Sequence, residues 1–146
     1  LFQNTDSSAV LQTAEKMGKR AFGWDSDMTA YGPKAHLGSA IINWGPYYIK
    51  ATKDALEGTW STGGVWWGHK EGAIDMVSVA EDVPAEIKAK IETIKAGLKD
   101  GSFHPWTGPI VGQDGKEVLA KDVKADDAFL GGVKFYVKGV EGKVPQ

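Results

Sequence analysis

The stretch Lys19-Arg20-Ala21-Phe22-Gly23-Trp24-Asp25-Ser26-Asp27 decides the fold that we predict for this chain. It is a short apolar run that ends abruptly in two carboxylates, a pattern typical of a buried parallel strand and the loop that follows it. In open α/β sheets, ligands bind in the crevice beyond the carboxyl ends of the strands. Asp25 is therefore a candidate ligand contact.

The residues before this stretch predict a strand and a helix. Residues 1–4 have the composition of a strand end, and residues 5–8 offer several side chains that can cap a helix. Apolar residues then recur at helical spacing from Ala9 to Met17, and Gly18 stands where a helix commonly ends. Because this helix returns the chain, the two strands that flank it are predicted to lie parallel.

The residues after the stretch predict two further strands and two helices. Residues 36–43 repeat the pattern of an apolar run with a polar end, and a helix is predicted from Tyr47 to Leu56, behind Pro46. Residues 72–79 indicate another strand, and the amphipathic pattern from Ala85 to Leu98 predicts another helix. This alternation of strands with helices favours an α/β fold.

After Gly101 the helical pattern stops. Asp114-Gly115 is a hairpin-type turn, and residues 126–132 are predicted to form one helical turn. Residues 133–137 alternate sufficiently for a short strand. The tail is therefore predicted to be irregular structure with short strands.

Composition excludes several classes of function. The 146 residues suit one folding unit, and a net charge of −2 with a pI near 5.9 gives no basic surface for nucleic acid. Without cysteine, the chain has no disulfide, thiolate metal site or cysteine nucleophile. No apolar run is long enough to cross a bilayer, and the chain opens in a strand-like segment, as a fragment would, rather than in a signal peptide.

The sequence carries no motif for catalysis or for a metal. His36, His69 and His104 lie 33 and 35 residues apart, without the spacing of metal ligands. There is no nucleophile elbow, no phosphate-binding loop and no GxGxxG motif after a strand. We therefore predict no metal, no cofactor and no catalytic residue.

Polar or aromatic side chains follow three of the predicted strands. They are Asn4 with Asp6, Asp25 with Asp27, and Asn43 with Trp44. A carboxylate accepts hydrogen bonds from hydroxyl or amino groups, an amide both donates and accepts, and an indole stacks on a planar ring. The set suits a sugar, a base or a nucleoside.

Each of these residues also has an ordinary structural interpretation. Asp6 and Asp27 are typical helix caps or turn formers, Asn43 can terminate a strand, and Trp44 can belong to a core. The recurrence at three strand ends is what favours a ligand site.

At these same strand ends the sequence resembles the carboxyl-terminal half of the basic membrane protein family. The motifs are Gln3-Asn4-Thr5-Asp6-Ser7, Gly23-Trp24-Asp25-Ser26-Asp27-Met28, Tyr31-Gly32-Pro33-Lys34, Asn43-Trp44-Gly45-Pro46-Tyr47-Tyr48 and Trp67-Gly68-His69-Lys70-Glu71-Gly72-Ala73. The family comprises substrate-binding lipoproteins and periplasmic proteins of ABC importers, which often bind nucleosides or purines. Further motifs at residues 56–60, 101–103 and 136–145 continue the resemblance, which therefore covers essentially the whole chain.

The resemblance implies a type I periplasmic-binding-protein fold, in which two doubly wound α/β lobes hold the ligand in the cleft between them. By that pattern, residues 1–27 and about 60–146 belong to the carboxyl-terminal lobe. Residues from about 36–57 form a crossover strand and helix that pack on the amino-terminal lobe, which this chain mostly lacks.

The resemblance also implies roles for the strand-end residues. Asp25 corresponds to the aspartate that holds ligand hydroxyls in nucleoside-binding members, and Asn4 to Asp6 correspond to the first strand-end turn. Nucleoside-binding relatives tend to carry a lysine after the crossover strand, where this chain has Ile42-Asn43-Trp44. This departure weakens the case for ribose recognition and leaves a free base or another planar ligand, stacked on Trp24 or Trp44, as a plausible ligand.

The leading hypothesis is an extracytoplasmic bacterial solute-binding protein, periplasmic or at the cell surface, rather than an enzyme. It would bind a purine base or nucleoside by hinge closure and deliver it to the permease subunits of an ABC importer. A ligand sensor or regulator with the same fold is the alternative, and a nucleoside-processing enzyme is the third. Nucleic acid is not an expected partner, and membrane contact is expected only through the permease or a lipid anchor outside this chain.

Overall fold

The predicted strand around Phe22 forms β1, Ala21–Asp25, in the computed structural model of the protein, which describes residues 1–144. The chain divides into two units, Leu1–Ser102 and Phe103–Gln146. The first unit contains helix α1 (Ala9–Lys16), β1, a 3₁₀ turn (Thr29–Tyr31), strand β2 (His36–Ile42), helix α2 (Gly45–Glu57), strand β3 (Ile74–Val77) and helix α3 (Ala85–Asp100).

The three strands form one sheet in the order β1-β2-β3. β1 pairs with β2 in parallel, with Trp24 opposite Ala40 and Asp25 opposite Ile41. β2 pairs with β3 in the antiparallel sense, with Ala40 opposite Met76. The parallel pair confirms the predicted α/β class, and its shared direction brings the carboxyl ends of β1 and β2 to one edge of the sheet.

The predicted strand at residues 1–4 is not a regular strand in the structure. The segment nevertheless lies beside β1, because the Leu1 ammonium group donates to the Arg20 carbonyl at 2.7 Å and the Phe22 amide donates to the Leu1 carbonyl at 3.0 Å. The Phe2 ring stacks on the Phe22 ring at a centroid distance of 4.4 Å. Two main-chain hydrogen bonds hold the segment in place without completing a ladder.

α1 matches its predicted span and supplies the core of the first unit. Its buried residues, Leu11 and Ala14, pack with Ala21 of β1 and with Met28 and Ala35 of the loop before β2. The core therefore lies on one face of the sheet. It fixes the loop that connects β1 to β2, and this loop carries the polar residues after Asp25.

α2 begins two residues before its predicted start, and Gly58 ends it in the left-handed conformation at φ 68°. Within the described chain, α2 buries none of its 13 residues, although its sequence is amphipathic. The strand before it, β2, lies in the same sheet as β1. The assignment of residues from about 36–57 to a second lobe stays a prediction.

α3 runs two residues beyond the predicted end, and Gly101 follows it in the left-handed conformation. The Lys95 ammonium group of this helix donates to the Met76 carbonyl of β3 at 3.0 Å. Gly97 is the buried residue of the helix, and Ile87 on its apolar side is 44% exposed. Among residues 1–144, no helix is both long enough and apolar enough to cross a membrane.

The second unit contains a hairpin and a short helix. Strand β4 (Ile110–Val111) pairs with strand β5 (Glu117–Leu119), and Gly115 takes the positive φ that the predicted turn requires. Helix α4 (Asp127–Gly131) forms where one helical turn is predicted, capped by the Asp126 carboxylate. The predicted strand at 133–137 is wrong, because Val137 makes only an isolated bridge with Gly112.

A substitution at Gly23 is expected to destabilise the sheet. A Cβ atom there would lie 2.2 Å from Ser39 Oγ and 2.9 Å from Met28 Cβ. Gly23→Ala should therefore lower the free energy of unfolding by about 2 kcal/mol, the usual cost of overpacking a tight interior. Urea unfolding measures the change, with Gly64→Ala as the control because a Cβ atom at Gly64 would meet nothing within 4 Å. Equal stability of the two variants would contradict the packing described here.

Candidate functional site

Asp25 lies at the carboxyl end of β1, where the backbone takes an unusual conformation. Its φ is 71°, in the left-handed region that non-glycine residues rarely occupy. Such conformations cost free energy and cluster at binding and catalytic sites. No residue among 1–144 forms a hydrogen bond or ion pair with the half-buried Asp25 carboxylate, which leaves both oxygens available to a ligand.

Asn43 follows β2 at the same edge of the sheet, and its side chain already has structural partners. Asn43 Nδ2 donates to the Gly72 carbonyl at 3.1 Å, and Oδ1 accepts from the Gly45 amide at 3.1 Å. The residue thus ends the strand and joins it to the start of α2, as its structural interpretation predicts. One amide hydrogen and one lone pair of the side chain remain for a ligand.

Trp24 lies on the opposite face of β1 from Gly23, because side chains alternate along a strand. It lines a small recess of about 160 Å³ together with residues of β2 and β3. Most of the lining is apolar, contributed by Ala40, Ile42, Ile74 and Met76. A planar ring stacked on Trp24 would find an apolar floor there.

Trp44 immediately precedes α2 and is 55% exposed, so its interpretation as a core residue is wrong. Its ring stacks on the Tyr48 ring at a centroid distance of 6.1 Å, and Tyr47 in turn meets the edge of Trp67 at 5.9 Å. Trp44 is therefore an accessible aromatic surface next to Asn43.

Asn4 and Asp6 are exposed, and within residues 1–144 neither side chain forms a hydrogen bond or an ion pair. The segment before them runs beside β1, which carries Asn4 toward the edge where Asp25 lies. Asp6 does not cap α1; Ser7 Oγ accepts the Ala9 amide at 3.3 Å instead. The cap interpretation of Asp6 is therefore wrong.

A polar groove adjoins the recess at Trp24, and sequence reasoning missed it. The groove has a volume of about 390 Å³ and shares Ile41, His69, Ile74 and Asp75 with the recess. Lys95 Nζ lies 3.0 Å from Asp75 Oδ1, and His69 Nδ1 lies 3.8 Å from the same oxygen. Asn43 also lines the groove, so this strand end borders a polar surface.

Asp27 forms the turn after β1, as its structural interpretation predicts. Its Oδ1 accepts from the Thr29 amide at 3.0 Å and from Thr29 Oγ1 at 2.6 Å, and its Oδ2 accepts from Ser78 Oγ at 2.5 Å. Hydrogen bonds from Ser78 and Thr29 lower the pKa of Asp27 to about 2. The carboxylate is thus held by the loop and by the residue after β3.

Two buried polar residues stand behind this turn, and sequence reasoning missed both. His36 is 2% exposed and Ser39 is fully buried, with His36 Nε2 and Ser39 Oγ at 2.7 Å. Burial lowers the pKa of His36, although the nearby Asp27 carboxylate opposes that shift. Polar residues inside an apolar strand are the signal that could have indicated them, because buried polar groups need partners.

The described residues contain no group of three or more His, Cys, Asp or Glu side chains that could hold a metal ion. The candidate site is therefore built from one free carboxylate, one amide and aromatic rings. This set can recognise hydrogen-bond donors and a planar ring.

Comparison with known proteins gives the family. Residues 2–100 match the family described as ABC transporter substrate-binding protein, PnrA-like. The chain belongs to this family. The match confirms the resemblance to the basic membrane protein family, and with it the chain is a fragment of the periplasmic-binding-protein type of α/β fold.

Two relatives extend the comparison. A purine-binding protein from Brucella abortus (strain 2308) is 44% identical over 144 residues, which are 99% of this chain and 41% of the relative. The chain thus spans about two fifths of that relative's length. A solved structure described as a transcriptional activator of the comK gene from Bacillus halodurans has a TM-score of 0.64 and 19% identity, over 71% of this chain and 38% of that one. At this identity the similarity shows the fold alone.

The pH dependence of stability tests the Asp27 turn. A carboxyl group with a depressed pKa stabilises the fold above its unfolded pKa, and this contribution is lost as the pH falls through the folded pKa. Asp27→Asn is expected to lower the free energy of unfolding by about 1 kcal/mol near pH 7, after allowance for solvent screening. The difference from the unsubstituted protein should shrink below about pH 4 and be lost as the pH falls through the folded pKa of about 2.

Urea unfolding at a series of pH values measures this difference. Glu117→Gln, which removes an exposed carboxylate of β5, is the control and should leave stability almost unchanged. An Asp27→Asn effect that stays constant from neutral to acid pH would show that the charge does not stabilise the turn.

Proposed function

We propose that this chain forms part of the ligand site of an ABC importer's solute-binding protein, and that the ligand is a purine base or nucleoside. The observation that carries the proposal is the 44% identity to a purine-binding protein across nearly the whole chain. The geometry at the ends of β1 and β2 supports it, because a carboxylate, an amide and aromatic rings suit a purine.

Asp25 is the central residue of the proposed site. Its carboxylate is half-buried and has no partner among residues 1–144, so a ligand's N–H or O–H groups would meet an acceptor that is not already engaged. Asn43 offers one further donor and acceptor at the neighbouring strand end. Asn4 and Asp6 fix the orientation of the ligand in this proposal, since the segment before them runs beside β1.

The base stacks on Trp24 or on Trp44. Trp24 offers the apolar recess with Ile42 and Met76, whereas Trp44 offers an open ring face beside Asn43. After β2 the chain has Asn43 and Trp44 rather than a lysine, which favours a free base over a ribose-anchored nucleoside.

The proposed role is binding and delivery rather than catalysis. The ligand is bound between two lobes, and tighter binding to the closed form shifts the population toward closure. The closed form then presents the ligand to permease subunits on the outer side of a bacterial membrane. A sensor or regulator with this fold is not favoured by any observation, because the similarity to a transcriptional activator is at 19% identity.

Isothermal titration of the full-length protein tests the ligand class. Adenine, hypoxanthine, guanosine and inosine are titrated in turn, with uracil as the pyrimidine control. Heat of binding from a purine and none from uracil is the expected result. Binding of none of the four purine compounds would overturn the proposal, and release of a free base from a nucleoside would identify an enzyme instead.

The charge at Asp25 is expected to account for much of the affinity. Asp25→Asn retains a residue that tolerates the left-handed conformation at this position and removes the charge. Because hydrogen bonds to a carboxylate are about twice as strong as neutral ones, purine affinity should fall roughly 10- to 100-fold.

Asp122→Asn is the matched control for this variant. Asp122 also has a positive φ, 63°, and it lies in the second unit, outside the proposed site. The purine affinity of Asp122→Asn should stay within about twofold of that of the unsubstituted protein. An equal loss of affinity in both variants would point to a general effect of removing charge.

The two candidate stacking residues are distinguished by separate substitutions. Trp24→Leu and Trp44→Leu each remove one ring, and loss of base stacking should weaken binding by about 10-fold or more at the residue that stacks. Trp66→Leu is the control, because Trp66 is 73% exposed and lines neither the recess nor the groove. Titration of all three variants with the best purine gives the answer, and unchanged affinity in the first two would exclude stacking on either ring.

A further inference from the structure

We propose that Ser39 and His36 are positioning residues for ligand binding, which hold the turn of residues 25–29 against β2 so that Asp25 faces the ligand. This inference rests on the proposed function and concerns residues that do not themselves touch the ligand. It follows from a continuous chain of hydrogen bonds behind the turn.

The direction of each hydrogen bond in this chain is fixed by chemistry. The Asp27 carboxylate can only accept, so Thr29 Oγ1 donates its proton to Oδ1 and must accept from His36 Nδ1, 3.3 Å away. In the neutral imidazole, which burial favours, His36 Nε2 is then the bare nitrogen and accepts from Ser39 Oγ at 2.7 Å. Ser39 Oγ in turn accepts from the Met28 amide at 3.0 Å. Every hydroxyl in the chain thus donates once and accepts once.

Burial makes this chain of hydrogen bonds costly to break. Ser39 is fully buried and His36 is 2% exposed, so water cannot easily replace a lost partner. Gly23 of β1 lies opposite Ser39, and the space that a Cβ atom would need there is occupied by Ser39 Oγ. The parallel register, which pairs Gly23 with Ser39, therefore leaves space for the Ser39 hydroxyl.

A second anchor holds the turn through the Asp27 carboxylate. Ser78 Oγ donates to Asp27 Oδ2, and Ser78 itself is held at φ 53°, just after β3. The Asp27 carboxylate thus joins the loop to β3 while the Met28 amide joins it to β2 through Ser39. A residue in the left-handed region persists only where its surroundings fix it, and these two anchors hold the chain two and three residues after the left-handed Asp25.

The arrangement contains a serine, a histidine and an aspartate, but it is not a catalytic triad. Ser39 Oγ is buried under Gly23 and Met28, where no substrate carbonyl can reach it. His36 contacts Asp27 only through Thr29 Oγ1. The geometry serves to hold the turn.

Protonation of His36 would interrupt the series of hydrogen bonds between His36 and Ser39. Nε2 would become a donor toward Ser39 Oγ, whose own proton would then need another acceptor. The charged groups that face His36 are Asp27, which favours the proton, and Arg20, which disfavours it and is itself paired with Asp82. Lys34 and Glu81 line a cavity of about 580 Å³ that His36, Asp27 and Arg20 also line. Acidification is therefore expected to loosen the turn.

Purine affinity of the full-length protein tests the inference. Ser39→Ala should lower the affinity at least 10-fold at a temperature where the protein is fully folded. Ala89→Gly is the control: it should destabilise the fold through the conformational cost of glycine within α3, outside the turn, and leave the affinity within twofold. If Ser39→Ala binds as tightly as the control, the inference is overturned.

The pH profile separates positioning from general stability. Affinity of the unsubstituted protein should fall on acidification, at a pH below the ordinary range of histidine, because burial lowers the pKa of His36. His36→Gln keeps an uncharged acceptor for the Ser39 hydroxyl, so it should restore much of the affinity that His36→Leu loses and should flatten the profile. A profile that is the same with and without His36 would overturn the inference.

The two proposals fail in different ways. If the unsubstituted protein binds no purine compound, the proposed function is wrong. If it binds a purine while the Ser39 and His36 variants retain its affinity and its pH profile, only the positioning role is wrong.

Discussion

The parallel pairing of β1 with β2 is the constraint on which the rest of the first unit depends. It places Asp25 opposite Ile41 and therefore brings the end of β1 to the same edge as Asn43. The same register places Gly23 opposite Ser39, where only a residue without a Cβ atom leaves room for the serine hydroxyl. One pairing thus sets both the edge that carries the candidate site and the polar contacts behind it.

The connection between β1 and β2 is held in a fixed conformation by contacts at both of its ends. Met28 and Ala35, at the two ends of the connection, are buried in the core with Leu11 of α1. Between them, Thr29 links the Asp27 carboxylate to His36. Apolar burial and hydrogen bonding therefore both fix the connection of residues 26–35. This explains how Asp25, at the end of β1 just before it, can be held at a φ of 71°.

Sequence reasoning predicted the elements whose signal is local. The apolar run to Asp25 predicted β1, the helical spacing before Gly18 predicted α1, and Asp114-Gly115 predicted the hairpin. It was wrong where a segment's state depends on distant partners: residues 133–137 have strand-like alternation but meet a neighbour at only one bridge. His36 and Ser39 were missed because their partners Thr29 and Met28 lie in the loop before β2, and the pattern of residues does not give the path of that loop.

The sheet's two faces explain why the candidate site combines polar and aromatic groups. Gly23 and Ser39 lie on the face that the core covers, whereas Trp24, Ala40 and Met76 share the other face, because side chains alternate along a strand. In the proposed site, a ligand at the strand ends would meet both faces of the sheet. It would find the carboxylate of Asp25 at the edge and the Trp24 ring one residue earlier, on the opposite face. In the proposed site, this alternation of adjacent residues would let an apolar ring with polar edges be recognised, and the buried contact of Ser39 with the Met28 amide would hold the turn beside it.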